Sequence, residues 1–288
     1  MAQLTENSYG KSAVRLTRVV RHGPRHELFE IEAAIQLTGD FVDSYTQGDN
    51  RKVIATDSIR NTVYVLAKEH PFRCIEDFAA LLANHFLVTY PQVSGATVEL
   101  TQSSWRRIEV DGRPHDHAFI SAGPQRRRIL IEHDRDRPPR QTGGVRDLLV
   151  LKTTGSEWRD FVSDRYRTLH DTRDRILATR IDADWRFTAD ASCQNPPPDW
   201  DAAHAAILDA ILRTFATQHS LGVQQTLLAM GQAALAACES IHSISFELPN
   251  QHRVPFNLEP FGLKFENDIF ITTDEPYGLI RGTVTREH

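Results

Sequence analysis

What most constrains this chain is its hydrophobic period, which switches from two to about 3.6 residues and back, in the same order twice. Phe29, Ile31, Ala33, Ile35 and Leu37 alternate with Glu30, Glu32, Gln36 and Thr38. That is a strand with one face in a core and the other in water. A second strand is predicted over 12–21, with Gly23-Pro24 as the turn between the two. Helical spacing then takes over. It runs after Asp57 through Ile59, Val63, Leu66 and Ala67, and over 75–90 through Phe78, Leu81, Leu82, His85 and Phe86. Strands return over 97–110, 117–120 and 127–133, the first two joined by the turn Asp111-Gly112-Arg113-Pro114. The segment 134–144 (DRDRPPRQTGG) is charged, rich in Pro and Gly, and reads as a linker.

Beyond it the order repeats. Strands are predicted over 145–152 and 176–187, and the triplet Pro196-Pro197-Pro198 halts the chain. A helix over 201–218 carries Ile207, Leu208, Ile211, Leu212 and Phe215 on one face, and another covers 223–238. Strands over 241–248, 268–273 and 278–285 close the chain. Each half reads strand, strand, helix, helix, strand, strand, which divides it into domains 1–137 and 138–288. Antiparallel hairpins with helices grouped to one side make an α+β fold. No GxGxxG follows a strand, and no Walker lysine motif is present. The halves share a pattern, with no obvious sequence identity.

Composition narrows the function classes. The 288 residues are 40% hydrophobic, enough to bury a sizeable core, and the net charge is −5. That balance offers no bulk attraction to nucleic acid or to an anionic membrane. The run Arg126-Arg127-Arg128 has no aromatic interleaving and reads as a solvated strand edge. No window approaches a membrane-spanning length of apolar residues. The opening MAQLTENSYGKSAV lacks an apolar segment and the closing REH is no peroxisomal tripeptide, so a cytoplasmic location is expected. Cys74, Cys193 and Cys238 lie far apart without a CxxC, as free thiols in a reducing compartment would. Of the 33 basic residues only Lys11, Lys52, Lys68, Lys152 and Lys264 are lysines, and the two side chains are not interchangeable. Genomic base composition explains most of that bias. A lysine kept in an arginine-rich chain still marks a place where a titratable amine is wanted.

Taken singly, the candidate site residues all have ordinary explanations. Thr56-Asp57-Ser58 opens a helix, where such residues cap the backbone, although a helix start also holds anions. Arg173 and Arg175 flank Asp174 before a strand, where arginine is usually solvated. Val223-Gln224-Gln225 begins a helix, and Asn250-Gln251-His252 follows Leu248-Pro249 in a predicted loop. His115-Asp116-His117 has no third ligand at a metal-site spacing, so no metal is expected.

Together they are specific. Tyr9-Gly10-Lys11, Ala55-Thr56-Asp57-Ser58-Ile59-Arg60-Asn61-Thr62 and Asp111-Gly112-Arg113-Pro114-His115 appear in order. Leu151-Lys152-Thr153-Thr154-Gly155-Ser156, Asp174-Arg175-Ile176-Leu177-Ala178-Thr179, Leu248-Pro249-Asn250-Gln251-His252 and Gly278-Leu279-Ile280 follow. The set resembles the urate oxidase (uricase) family over essentially the whole chain. The resemblance implies two tandem tunnelling-fold (T-fold) domains per chain. It also implies a homotetramer around a tunnel-shaped β-barrel, with active sites at subunit interfaces. It implies a cofactor-free and metal-free oxidation of urate by O2 and water to 5-hydroxyisourate and hydrogen peroxide.

By the same resemblance Arg175 and Gln224 grip the purine, since a guanidinium fork and an amide match its carbonyls and ring nitrogens. The backbone at Val223 and Asp57 completes the in-plane hydrogen bonds, and Leu169 and Ile280 line the pocket. Lys11, Thr56 and His252 form a proton relay. An amine held away from water can give up its proton, which arginine does not. Asn250 and Thr56 hold O2 or water above the ring. One departure stands out: the family's stacking Phe is here Trp158, with Phe161 as a weaker substitute. The 261–270 region also differs from the family's usual form. Two other readings remain: a further T-fold purine or pterin enzyme, which would need a His or Cys metal cluster, and a purine-binding T-fold oligomer that does not turn over.

Overall fold

The protein is represented by a computed structural model that describes residues 3–193 and 197–287. It divides into two compact units, Met1–Arg146 with Arg186–Ala202, and Asp147–Trp185 with Ala203–His288. Residues 140–146 pair with β4, which places them with unit 1, and residues 186–202 also belong to unit 1.

In unit 1, β1 (Tyr9–His22) and β2 (Arg25–Gly39) form a hairpin around Gly23, whose φ is +62°. Sheet order continues through β3 (Val93–Val110) and β4 (Arg113–Asp134) to β5 (Arg140–Lys152), all antiparallel up to that pair. The predicted alternation holds: Phe29, Ile31, Ala33, Ile35 and Leu37 are all buried, while Glu30 and Glu32 lie on the other face. Against the apolar face pack α2 (Thr56–Glu69), through Ile59, Val63, Leu66 and Ala67, and α3 (Ile75–Thr89), through Phe78, Leu82 and Phe86. Each fully buried side chain of this kind contributes about 1.5–3 kcal/mol of transfer free energy. A short α1 (Val42–Thr46), not read from the sequence, lies between β2 and α2.

Three predictions need correction here. Residues 117–120 and 127–133 are not separate strands but parts of β4. Gly123 (φ +117°) and Pro124 lie inside it, where the pairing register to β3 shifts, so the break is a bulge. The 134–144 segment is mostly not a linker. Thr142, Gly143 and Gly144 pair with Leu130, Ile129 and Arg128 within the β4–β5 ladder. The Arg126–Arg128 run is no solvated edge: Arg127 binds Glu76 (2.8 Å) and also Asp201, and Arg128 binds Glu99 (2.8 Å). Burial raises the pKa of Glu76, with Arg127 pulling it back down.

In unit 2 the order is β5, β6 (Leu177–Phe187), β7 (Ile241–Pro255) and β8 (Phe270–Thr273), with β9 (Leu279–Thr285) also paired to β7. The helices are α4 (Ala189–Cys193), whose residues belong to unit 1, α5 (Trp200–Thr217) and α6 (Val223–Ala237). On α5 the buried stripe is Ile207, Ile211 and Phe215, spaced by four, while Leu212 is exposed, so the predicted face is narrower than expected. On α6, Val223, Leu227, Met230 and Ala234 are buried. Pro196 of the predicted triplet lies outside the described residues. Among the described residues no helix is long and apolar enough to cross a membrane.

Candidate active site

The proposed residues fall into two groups, one in each unit. In unit 1, Lys11 sits where β1 bulges: its pairing to Ile35 is followed by a register shift, and Ala13 takes a left-handed φ of +56°. A bulge re-aims the side chains beside it. Gly10 is obligatory there, because a Cβ would lie 1.8 Å from the Ile35 carbonyl oxygen. The Tyr9 hydroxyl accepts the Ile54 N–H at 2.8 Å. This bond ties the start of β1 to the approach of α2, and Lys11 and Thr56 each follow it by two residues.

Thr56-Asp57-Ser58 does not cap α2. Ala55 is the N-cap, with no side-chain cap hydrogen bond, and Thr56 is the first helical residue. The Asp57 carboxylate is taken by Arg60 (2.7 Å) and by the Asn61 amide (3.0 Å). That leaves its backbone, not its charge, for a ligand, as the resemblance implies. Lys11 is half-buried and Thr56 exposed.

In unit 2 the residues converge on one short extended segment, 155–158. The Asp174 carboxylate accepts the Thr154 hydroxyl (2.8 Å) and the Gly155 N–H (3.1 Å). Arg175 N–H donates to the Ser156 carbonyl at 2.9 Å, and Trp158 exchanges two backbone hydrogen bonds with Thr172, at 2.8 and 2.9 Å. On the other side Ser220 N–H reaches the Gly155 carbonyl (2.9 Å), and Glu157 N–H reaches that of Ser220 (2.7 Å). Lys152 donates to the Gln218 carbonyl at 2.6 Å, which uses this lysine for structure; burial lowers its pKa. The segment thus fixes Arg175 and Trp158 on one flank and the start of α6 on the other.

Gly222 caps α6 without a side-chain hydrogen bond, followed by buried Val223 and exposed Gln224. A Cβ at Gly222 would meet the Trp158 ring at 3.1 Å, so the glycine lets the indole approach the helix start. The Arg175 guanidinium lies 5.6 Å from the Trp158 ring centroid. Its Nε is buried and has no hydrogen-bond partner. Burial lowers its pKa. A buried guanidinium N–H without an acceptor is costly unless something else satisfies it.

The remaining predicted residues gather along β7 and its neighbours. Asn250 and His252 are in strand, not loop, because β7 runs on past Pro249, which pairs with Leu279. Asn250 N–H donates to the Gly278 carbonyl (2.9 Å), and Ile280 pairs with Leu248. His252, opposite Thr273, is half-buried. Leu169 is 58% exposed. His115 and His117 stack edge-on at 4.5 Å. Among the described residues no group of three or more His, Cys, Asp or Glu side chains is placed to hold a metal ion. The sequence reading passed over Gly222, although glycine directly before a predicted helix was its signal. It also passed over the pairing of Glu157 with His219 (2.7 Å) and Arg159 (2.5 Å).

Unit 2 brings a planar donor fork, an aromatic face and the N–H groups of a helix start to one segment, and that chemistry suits a flat anion. The comparisons with known proteins give the fold a class. A crystal structure of uricase from Arthrobacter globiformis superimposes with a TM-score of 0.92 at 39% identity, over 100% of this chain and 96% of that one. A urate oxidase structure from Bacillus sp. TB-90, 21% identical, shares the fold with a TM-score of 0.86 over 98% of this chain. The Uricase family model matches residues 7–132 and 141–281. The curated uricase of Arthrobacter globiformis is 39% identical over 99% of this chain and 90% of its own length, and that of Dictyostelium discoideum 34% identical over 100% and 99%. The chain belongs to the uricase family.

Proposed function

We propose that the protein oxidises urate: urate, O2 and water give 5-hydroxyisourate and hydrogen peroxide, with no metal or organic cofactor. The observation that carries this reading is the buried, unpartnered Nε of Arg175 beside the Trp158 ring and the uncapped start of α6. A urate monoanion supplies the missing acceptors in a plane that a guanidinium fork matches. Gln224, with donor and acceptor on one amide, holds the opposite edge, and the N–H groups of Val223 and Asp57 complete the ring's hydrogen bonds. Leu169 and Ile280 close the apolar sides, and Trp158 stacks on the purine.

Lys11 takes the proton that urate loses before electrons pass to O2. Thr56 passes a proton through its hydroxyl, and His252 reloads the amine. Asn250 and Thr56 hold O2, and later the water that attacks the oxidised ring. Each site is completed at a subunit interface of a homotetramer built around a tunnel. The test is loss of urate ultraviolet absorbance with stoichiometric peroxide release, in enzyme exhaustively treated with chelator. Tight urate binding without peroxide would replace the reading with that of a purine-binding oligomer. Activity lost on chelation and restored by a metal would replace it with that of a metal-dependent enzyme.

A further inference from the structure

We propose that Phe161 and Arg167 are positioning residues that set the plane of the Trp158 indole, and that Arg167 sets Leu169 as well. The inference deepens the reading of unit 2 as the urate seat and rests on it.

Between β5, which ends at Lys152, and β6, which begins at Leu177, the chain has no helix and no named strand. The isolated bridge between Trp158 and Thr172 fixes the Trp158 backbone but leaves its side-chain torsions free. The start of α6 meets the ring at Gly222, while Val162 and Tyr166 of the same segment, 81% and 73% exposed, point to no apolar cover from that segment. A stack adds a second contact. The Phe161 ring lies 5.4 Å from the Trp158 ring, nearly parallel at 16°. Offset stacking of this kind contributes about 0.5–1.5 kcal/mol beyond area burial.

Phe161 is itself covered by the Arg167 guanidinium, 4.0 Å from its ring centroid. Arg167 is immobilised on every side. Its Nε donates to the Leu169 carbonyl (3.0 Å), one terminal nitrogen to the Phe161 carbonyl (3.2 Å), and the other to Asp171 (2.6 Å). A guanidinium makes three such bonds while lying flat on a ring; a lysine ammonium, a single point donor, does not. Arg167 therefore ties together two walls of the seat, Trp158 through Phe161 and Leu169 through its carbonyl. The plane of the indole sets the plane in which a flat purine stacks, and that plane must coincide with the fork of Arg175. Loosening the stack misaligns the bound ring, so the loss falls on binding before it falls on chemistry.

The experiment uses Phe161→Ala and Arg167→Met in the full-length protein, with Phe161→Tyr and Arg167→Lys as conservative partners. We expect KM for urate to rise about 2- to 10-fold in the first two, with kcat held within about twofold. Phe161→Tyr should restore the original KM, and Arg167→Lys only part of it. Tryptophan emission should shift in Phe161→Ala and Arg167→Met, and the shift should vanish when the same changes are made in a Trp158→Phe background. An unchanged KM with unchanged emission overturns the proposal, as does a kcat loss that follows a fall in thermal stability. If the unaltered protein does not oxidise urate, the functional reading fails by itself. The emission arm then still decides whether residues 161 and 167 hold the indole.

Discussion

The two units share an order of elements and differ in what they do with a buried arginine. In unit 1, Arg127 is held by Glu76 and Asp201, and Arg128 by Glu99, while Arg18 has a buried terminal nitrogen without a partner and lies over the Phe72 ring. In unit 2, Arg175 is half-buried, its Nε has no partner, and its guanidinium lies near the Trp158 ring. The helix starts differ in the same sense. Ala55 opens α2 onto a hydroxyl and a carboxylate already bound to Arg60, while Gly222 opens α6 onto an apolar residue and a free amide beside an indole.

The largest effect expected from this contrast is at Lys11. Lys11→Met removes the proposed general base and should lower kcat by about 10²- to 10⁴-fold while leaving KM and the oligomeric state nearly unchanged. Steady-state kinetics with size-exclusion chromatography check it; an undiminished kcat would remove Lys11 from the relay. Next comes Arg175→Ala, which should raise KM by about 10- to 100-fold, the loss of a charged, bidentate contact. The pair breaks the comparison if the two losses trade places, with Lys11→Met moving KM and Arg175→Ala moving kcat.

Much of the fold was legible in the sequence. Period-two alternation over 29–37 and helical spacing over 57–67 survive as buried stripes, because a half-buried element writes its core face into the sequence. Lys11, Thr56, Arg175 and His252 came forward only through the resemblance that the ordered motifs carry, because each taken singly has an ordinary local explanation. What misled was punctuation. Gly123-Pro124 and Gly143-Gly144 look like breaks, yet one pair sits in a bulge and the other in a ladder whose partners supply the hydrogen bonds. Pro249 likewise reads as a strand end, although β7 runs through it. The stack of Arg167, Phe161 and Trp158 left no trace, since a segment without secondary structure has no period to read. The unpaired Nε of Arg175 was equally hidden, because lacking a partner is a tertiary property.

Two smaller effects sharpen the contrast. Gly222→Ala places a methyl 3.1 Å from the Trp158 ring. The ring must yield by a few tenths of an ångström, which should raise KM about two- to fivefold at constant kcat, roughly the cost of mild overpacking. The same exchange in reverse, Ala55→Gly at the start of α2, has no ring to relieve and should leave KM within about twofold. Equal responses at the two helix starts would mean that the indole does not bear on the α6 entrance.

The smallest effect concerns Glu99, whose pairing makes unit 1 sensitive to acid in a way that Arg175, lacking a carboxylate, does not make unit 2. The Arg128 guanidinium, bound at 2.8 and 3.0 Å, holds the Glu99 carboxyl below its ordinary value against the opposing pull of burial. A carboxylate depressed in the folded state stabilises the fold above its unfolded pKa, about 4.3, and that contribution is lost as pH falls through the folded value. Glu99 is 40% exposed, so solvent screening limits the contribution to about 0.5–1 kcal/mol. Glu99→Gln should therefore lower Tm by roughly 1–4 °C at neutral pH. The gap between variant and parent should close as the pH drops below the carboxylate range, because protonation removes the same charge from the parent. A gap that widened toward acid would mean that Glu99 is held above its ordinary value, as burial holds Glu76, and that its ion pair with Arg128 does not govern it.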